Sequence, residues 1–246
     1  MPCLNCGSSP TIDAHLIPRS FALEVTDERG EQHAIAFQHS PIFRKSNTGL
    51  YDTAILCAPC DQILGQNEKY VLEFLRAARL EPANHHSVCH RSGDGDKFVR
   101  FAAGIAWKFS VTRPEYGRIG VGPYASALAD AAFGKAAIAA NIDLIVFRLL
   151  TGNNSVPFYR LPRTDRQEGI NFVRFCVGSF LFLLKIDRRT TGSPPFNRWL
   201  KGVSIISYEC LAASLFEEWK VGAQIAARPR VRSYLDRMRR RPTAAG

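Results

Sequence analysis

Leu56-Cys57-Ala58-Pro59-Cys60-Asp61-Gln62-Ile63-Leu64-Gly65-Gln66-Asn67-Glu68-Lys69-Tyr70-Val71-Leu72-Glu73-Phe74-Leu75 couples a cysteine pair to an amphipathic pattern. Apolar residues at 64, 71, 72, 74 and 75, with polar residues between them, have helical spacing. The helix is predicted to run to about Leu80, because Pro82 cannot continue it. Asp61 stands near its start, where a carboxylate suits the positive end of the helix dipole. A plain N-terminal cap is the other role for that residue.

A second pair, Cys3-x-x-Cys6, lies at the other end of the segment. Two-residue spacing lets both sulfurs of a pair face one ion from a tight turn. Two such pairs, Cys3, Cys6, Cys57 and Cys60, make up a tetrahedral Cys₄ set, the usual closed structural zinc site. The alternative is four ordinary buried thiols. A redox CxxC is poorly matched, since neither pair sits in a βαβ pattern. The chain has seven cysteines, an odd number that argues against a disulfide framework.

Between the pairs stands Asp13-Ala14-His15-Leu16-Ile17-Pro18-Arg19-Ser20. A His-Leu-Ile-Pro-Arg-Ser string flanked by an upstream CxxC and a downstream Leu-CxxC resembles the HNH endonucleases of the His-Me finger group. The resemblance covers residues 1–82 and implies a ββα-metal module pinned by a structural Zn²⁺. It implies that His15 is the general base that activates a water against a phosphodiester. Asp61 corresponds to the metal-binding residue after the second CxxC, and Asp52 to the polar residue five positions before it. Where the family carries an acidic ligand before the histidine, this chain has Ala14. Glu68, seven residues beyond Asp61, shares its helix face.

A one-metal nuclease needs a hard cation near the scissile phosphate. Mg²⁺ or Mn²⁺ could be held by Asp61, alone or with Glu68, because such ions need only one or two carboxylates plus water and substrate oxygens. His15 supplies a base whose ordinary pKa lies near neutrality. Two functions follow. One is a zinc-stabilised endonuclease acting on DNA, in bacterial defence or mobile-element biology. The other is a catalytically degenerate HNH-like zinc module that binds nucleic acid or a protein partner, with His15 kept for packing or a hydrogen bond.

The chain has 246 residues, 46% hydrophobic and 22% charged, which excludes collagen-like and mostly disordered classes. Its formal charge of +10 is concentrated at one end: seven of its 32 Lys and Arg, and one Asp, fall between Arg228 and Arg241. A basic segment favours polyanions. Arg228, Arg230, Arg232, Arg237, Arg239, Arg240 and Arg241, with Arg19 from the histidine string, are the candidate phosphate contacts. A solvated terminal helix is the other reading of that segment.

The chain start lacks the charged and apolar regions of a signal peptide, and there is no apolar run of 18 residues. A cytoplasmic protein without a membrane partner is expected.

The fold class predicted is α+β, with the N-terminal zinc-bound HNH-like module at 1–82. An α+β domain with an antiparallel sheet follows at 95–225, and a basic tail at 226–246. Phe98–Val111 reads as a buried helix and Pro123–Ala140 as an Ala-rich helix broken near Gly134. Ile142–Leu150 reads as a strand, and Ile170–Ile186 as a hairpin or two abutting strands around Gly178-Ser179. Thr164–Gly169 reads as a turn, and His85–His90 as an exposed loop rather than a second metal site. No Walker loop, GxSxG or Rossmann fingerprint adds another chemistry.

Overall fold

The computed structural model describes residues 1–24, 33–36, 43–46, 48–152, 154–155, 160–189 and 197–239. The chain opens on the first cysteine turn and strand β1 (Ala14–His15), then a short helix α1 (Arg19–Leu23). Strands β2 (His33–Ala36) and β3 (Phe43–Ser46) pair with each other. Strand β4 (Tyr51–Asp52) returns antiparallel to β1, with Ala14 opposite Asp52 and His15 opposite Tyr51. Helix α2 (Ala58–Leu80) begins inside the second CxxC and ends before Pro82, as its periodicity predicts. Leu64, Val71, Leu72, Phe74, Leu75 and Ala78 form its buried stripe. The stretch 26–31, whose charged residues around Gly30 predict a turn, lies outside the described residues.

The rest begins with strand β5 (Val88–Ser92) and helix α3 (Gly95–Val111). The predicted loop at His85–His90 is therefore partly a strand, because β5 has an edge to join. Among the described residues it forms no second metal cluster. Helix α4 (Ala125–Ala132) is shorter than predicted and stops just before Gly134, whose φ of +66° is open to glycine at little cost.

Strands β6 (Ile142–Thr151), β7 (Asn154–Ser155), β8 (Arg160–Gln167), β9 (Ile170–Val177), β10 (Phe180–Ile186) and β11 (Ile205–Ala212) follow. Helices α5 (Glu217–Ala227) and α6 (Pro229–Arg239) end the described chain. The main sheet runs β5-β11-β6-β10-β9-β8, with β7 added on β6. Every pairing is antiparallel except β11 on β6. The fold is mixed α+β, with the antiparallel character expected. Among the described residues no helix is long and apolar enough to cross a membrane.

The β9–β10 hairpin turns at Gly178-Ser179, where both φ angles are positive (56° and 71°). Two consecutive left-handed residues fit the right-handed twist of a two-residue hairpin. The stretch 164–169 is mostly strand instead of turn. Arg163, Asp165 and Gln167 alternate along β8, and Asp165 accepts hydrogen bonds from Arg174 and Gln167. The turn shrinks to Glu168-Gly169.

One sheet face packs under α3. Phe175 and Phe182 stack at 5.0 Å between ring centroids, and Phe101 meets Phe182 edge-on at 5.5 Å. A single apolar cluster takes in side chains from Cys3 to Cys210, so residues of 1–82 and 95–225 share a core. Arg148, buried in β6, reaches back to α2. Its guanidinium donates to the carbonyls of Arg79 (3.0 Å) and Glu81 (2.9 Å), satisfying acceptors that a helix end leaves open.

Helix α3 starts where the backbone has no room for a side chain. A Cβ on Gly95 would lie 1.7 Å from the Leu200 carbonyl oxygen and 2.8 Å from its carbon. Gly95→Ala is therefore expected to push the helix start off this loop and cost about 2–3 kcal/mol, as overpacking does. Urea unfolding measures it, and a change below about 0.5 kcal/mol would show that the loop yields freely.

Candidate metal centre and the histidine beside it

The first cysteine turn is closed by its own backbone. Cys3 N donates to Ser8 O and Gly7 N to Cys3 O, each at 2.8 Å. It is then laced to the segment before the second pair: Leu4 N donates to Ile55 O (2.9 Å) and Ile12 N to Leu56 O (2.8 Å). The second turn is the beginning of α2. Cys57 is its N-cap, Pro59 sits in its first turn, and Asp61 N donates to Cys57 O at 3.1 Å.

These two turns bring Sγ of Cys3, Cys6, Cys57 and Cys60 within 4.8 Å of one another. Cys3, Cys57 and Cys60 are buried and Cys6 is exposed. Cys6 and Cys57 sulfurs are 3.6 Å apart, and Asn5 Nδ2 donates to Cys60 Sγ at 3.2 Å. Hydrogen bonding from Ser8 and the neighbouring thiols draws Cys6 down to about 6. Burial pushes Cys60 up to about 12. Four thiolates this close repel one another unless a cation lies among them, and a donated N–H on a sulfur favours its charged form. The cluster can hold a metal ion. Among the described residues it is the only group of three or more His, Cys, Asp or Glu side chains so arranged.

His15 lies on β1 beside this cluster's helix. Its Nε2 is buried without a hydrogen-bond partner, and its ring centre is 5.9 Å from that of Tyr51. Burial first, then the Lys108 ammonium, hold the imidazole below its ordinary pKa, against the opposing pull of Asp61. The imidazole is thus neutral near pH 7.

The other predicted residues divide. Asp61 sits in the first turn of α2, partly exposed and within electrostatic reach of His15. Glu68, two turns further along, is engaged: its Oε1 accepts from Lys108 Nζ at 2.9 Å. Asp52 is fully buried and turned toward the end of α3. It accepts from Thr112 Oγ1 (2.6 Å), Arg113 N (3.2 Å) and Ala54 N (3.0 Å). Burial alone would raise its pKa, but these bonds together bring it below the usual carboxylate value. The geometry therefore joins His15 and Glu68 through Lys108, keeps Asp61 within electrostatic reach of His15, and leaves Asp52 with a scaffolding job.

Lys108 belongs to the helix that the sequence predicts as buried; the sequence also allows Trp107-Lys108 as a nucleic-acid contact, but both side chains are buried. Lys108 is 1% exposed, and its Nζ also donates to His15 O at 2.7 Å. The available signal is a lysine flanked by Phe101, Ala102, Ile105, Ala106, Trp107 and Phe109, since a lysine is almost never fully buried without a partner.

Arg19 is exposed at the start of α1, and its charge reaches His15. On α6, Arg230, Arg232 and Arg237 are exposed, while Val231 and Tyr234 are buried and Arg228 is partly so. Val231 packs with Val221 and Ile225 of α5. The Arg239 side chain, Arg240 and Arg241 lie outside the described residues. No protein-family model matches the chain, and neither a curated protein nor a solved structure matches it.

Proposed function

We propose that this chain is a zinc-stapled, HNH-like module that binds nucleic acid, gripping phosphates with arginines and not cutting them with a divalent ion. The observation that carries this reading is the state of the carboxylates near His15. The position before it is Ala14, Glu68 is paired with Lys108, and Asp52 is buried in bonds to Thr112, Arg113 and Ala54. Asp61 alone is left to face a cation, the fewest carboxylates with which a hard divalent ion is held, and this supports binding over cutting.

Zinc is the ion the sulfur set suits. Tetrahedral thiolates about 2.3 Å from Zn²⁺ lie roughly 3.8 Å apart, and the four sulfurs need only a small contraction to reach that spacing. In that role zinc does no chemistry on substrate; it ties the first turn to the head of α2. The net charge of +10 and the exposed Arg230, Arg232 and Arg237 support a polyanionic partner, probed here as duplex DNA.

Endonuclease activity is the second reading, favoured by one feature: the unpartnered Nε2 of a neutral His15 is a proton acceptor. A single experiment separates the two. Labelled duplex DNA is titrated across a salt series, and plasmid is incubated with Mg²⁺ or Mn²⁺. Binding is expected, with log K falling linearly in log salt. Arg230, Arg232 and Arg237 replaced together by Gln should lower that slope by about 2–3, near 0.9 for each phosphate no longer neutralised. No cleavage is expected. Plasmid nicking that disappears in His15→Ala would establish the nuclease, and absence of binding at low salt would remove nucleic acid as the partner.

A further inference from the structure

The histidine pocket already contains a cation. Lys108 enters it from α3, and its Nζ lies 2.7 Å from the His15 carbonyl oxygen and 2.9 Å from Glu68 Oε1. A backbone carbonyl from β1 and a carboxylate from α2 thus converge on one buried point held by the end of a third element. Carbonyl and carboxylate oxygens converging in this way are also what a hard divalent ion selects. An ammonium meets the same oxygens at hydrogen-bond distance and needs no dehydration of a free ion. It is also tethered, so its local concentration is fixed by the fold.

We propose that Lys108 is the resident cation of this pocket, occupying a latent divalent-cation site formed by the His15 carbonyl and Glu68. With the lysine in place, the oxygens have no capacity for a free ion. With it removed, they do. The same ammonium serves as a positioning group. It clamps β1 to α2 through His15's own backbone, so the imidazole is aimed by a residue 93 positions away. The proposal stands on this geometry alone and holds whether the partner is nucleic acid or protein.

The test uses the full chain, with its zinc content measured first. Mn²⁺ is titrated by electron paramagnetic resonance into wild type, Lys108→Ala, and Lys108→Ala combined with Glu68→Gln. Folding of each is checked by circular dichroism. Wild type is expected to leave Mn²⁺ free in this pocket. Lys108→Ala should bind one ion at least tenfold more tightly and broaden the His15 ring proton signals. The double variant should lose both effects. If wild type binds Mn²⁺ with broadened His15 signals, or folded Lys108→Ala gains no site, the proposal fails.

Should Lys108→Ala not fold, Lys108→Gln keeps a donor for the carbonyl while removing the charge. The groups acting on His15 are then Asp61 from α2, Arg19 from α1 and Asp13 next to β1. The His15 titration followed by NMR should move upward relative to wild type, since one repelling cation is gone. An unmoved midpoint would overturn Lys108 as the pocket's cation, because a lysine acting only as packing would not affect it.

Discussion

Cys60→Ser should abolish stoichiometric zinc and release the first turn from α2. The expected result is a chain whose zinc content falls from about one per molecule to near zero. Amide hydrogens along Cys3–Ile12 should exchange freely, while β6, β9 and β10 keep their protection. The magnitude decides between the two sequence readings of the cysteines. A structural zinc contributes about 10–16 kcal/mol in isolated zinc modules, comparable to the whole stability of a domain. Replacing one thiol among four ordinary buried ones would cost only about 1 kcal/mol, the usual centre for a point change. The backbone bonds Leu4 N to Ile55 O and Ile12 N to Leu56 O tie the first turn to the second, so losing the ion should undo both together. Excess chelator should reproduce the effect in wild type. If Cys60→Ser retains its zinc, or its amides remain protected, the cluster is not a metal centre.

That cluster was legible because its information is local. Each CxxC fixes two sulfurs within one turn, and α2 carries its own period, so only the meeting of the two turns had to be inferred. The β9–β10 hairpin was legible for the same reason, since Gly178-Ser179 marks a turn between two apolar runs. What could not be read depends on partners far apart in sequence. Lys108 is explained only by His15 and Glu68, which lie 93 and 40 residues away. β5 became a strand because β11 lines up with it across more than a hundred residues, with Ile205 opposite Ser92. The parallel pairing of β11 on β6 has no signature in either segment. The family resemblance matched Asp52 by its offset from Cys57, but an offset says nothing of which way a buried carboxylate turns. That depended on Thr112, at the end of a helix from another part of the chain.

Asp52→Ala turns this last point into a measurement. The carboxylate accepts from a hydroxyl and two backbone N–H groups, all near or within the core. The Arg113 guanidinium, with Nε 3.6 Å from Oδ1, lies on the exposed side. Alanine would leave those donors without an acceptor at roughly 1–3 kcal/mol for each buried group, so a loss of about 3–5 kcal/mol is expected in urea unfolding. Asp52→Asn keeps the shape and one acceptor oxygen, and should lose less. The pH dependence has a definite sign. Because the folded carboxyl sits below its ordinary pKa, it contributes stability above the unfolded value of about 3.9, and that contribution disappears as pH falls through the folded value. The gap between wild type and Asp52→Ala should therefore be constant from pH 7 to about 5 and narrow on further acidification. The His15 titration, which reports the pocket around Lys108, should be unchanged in Asp52→Asn. A stable Asp52→Ala protein with a displaced His15 titration would return Asp52 to the histidine site and take it out of the scaffold.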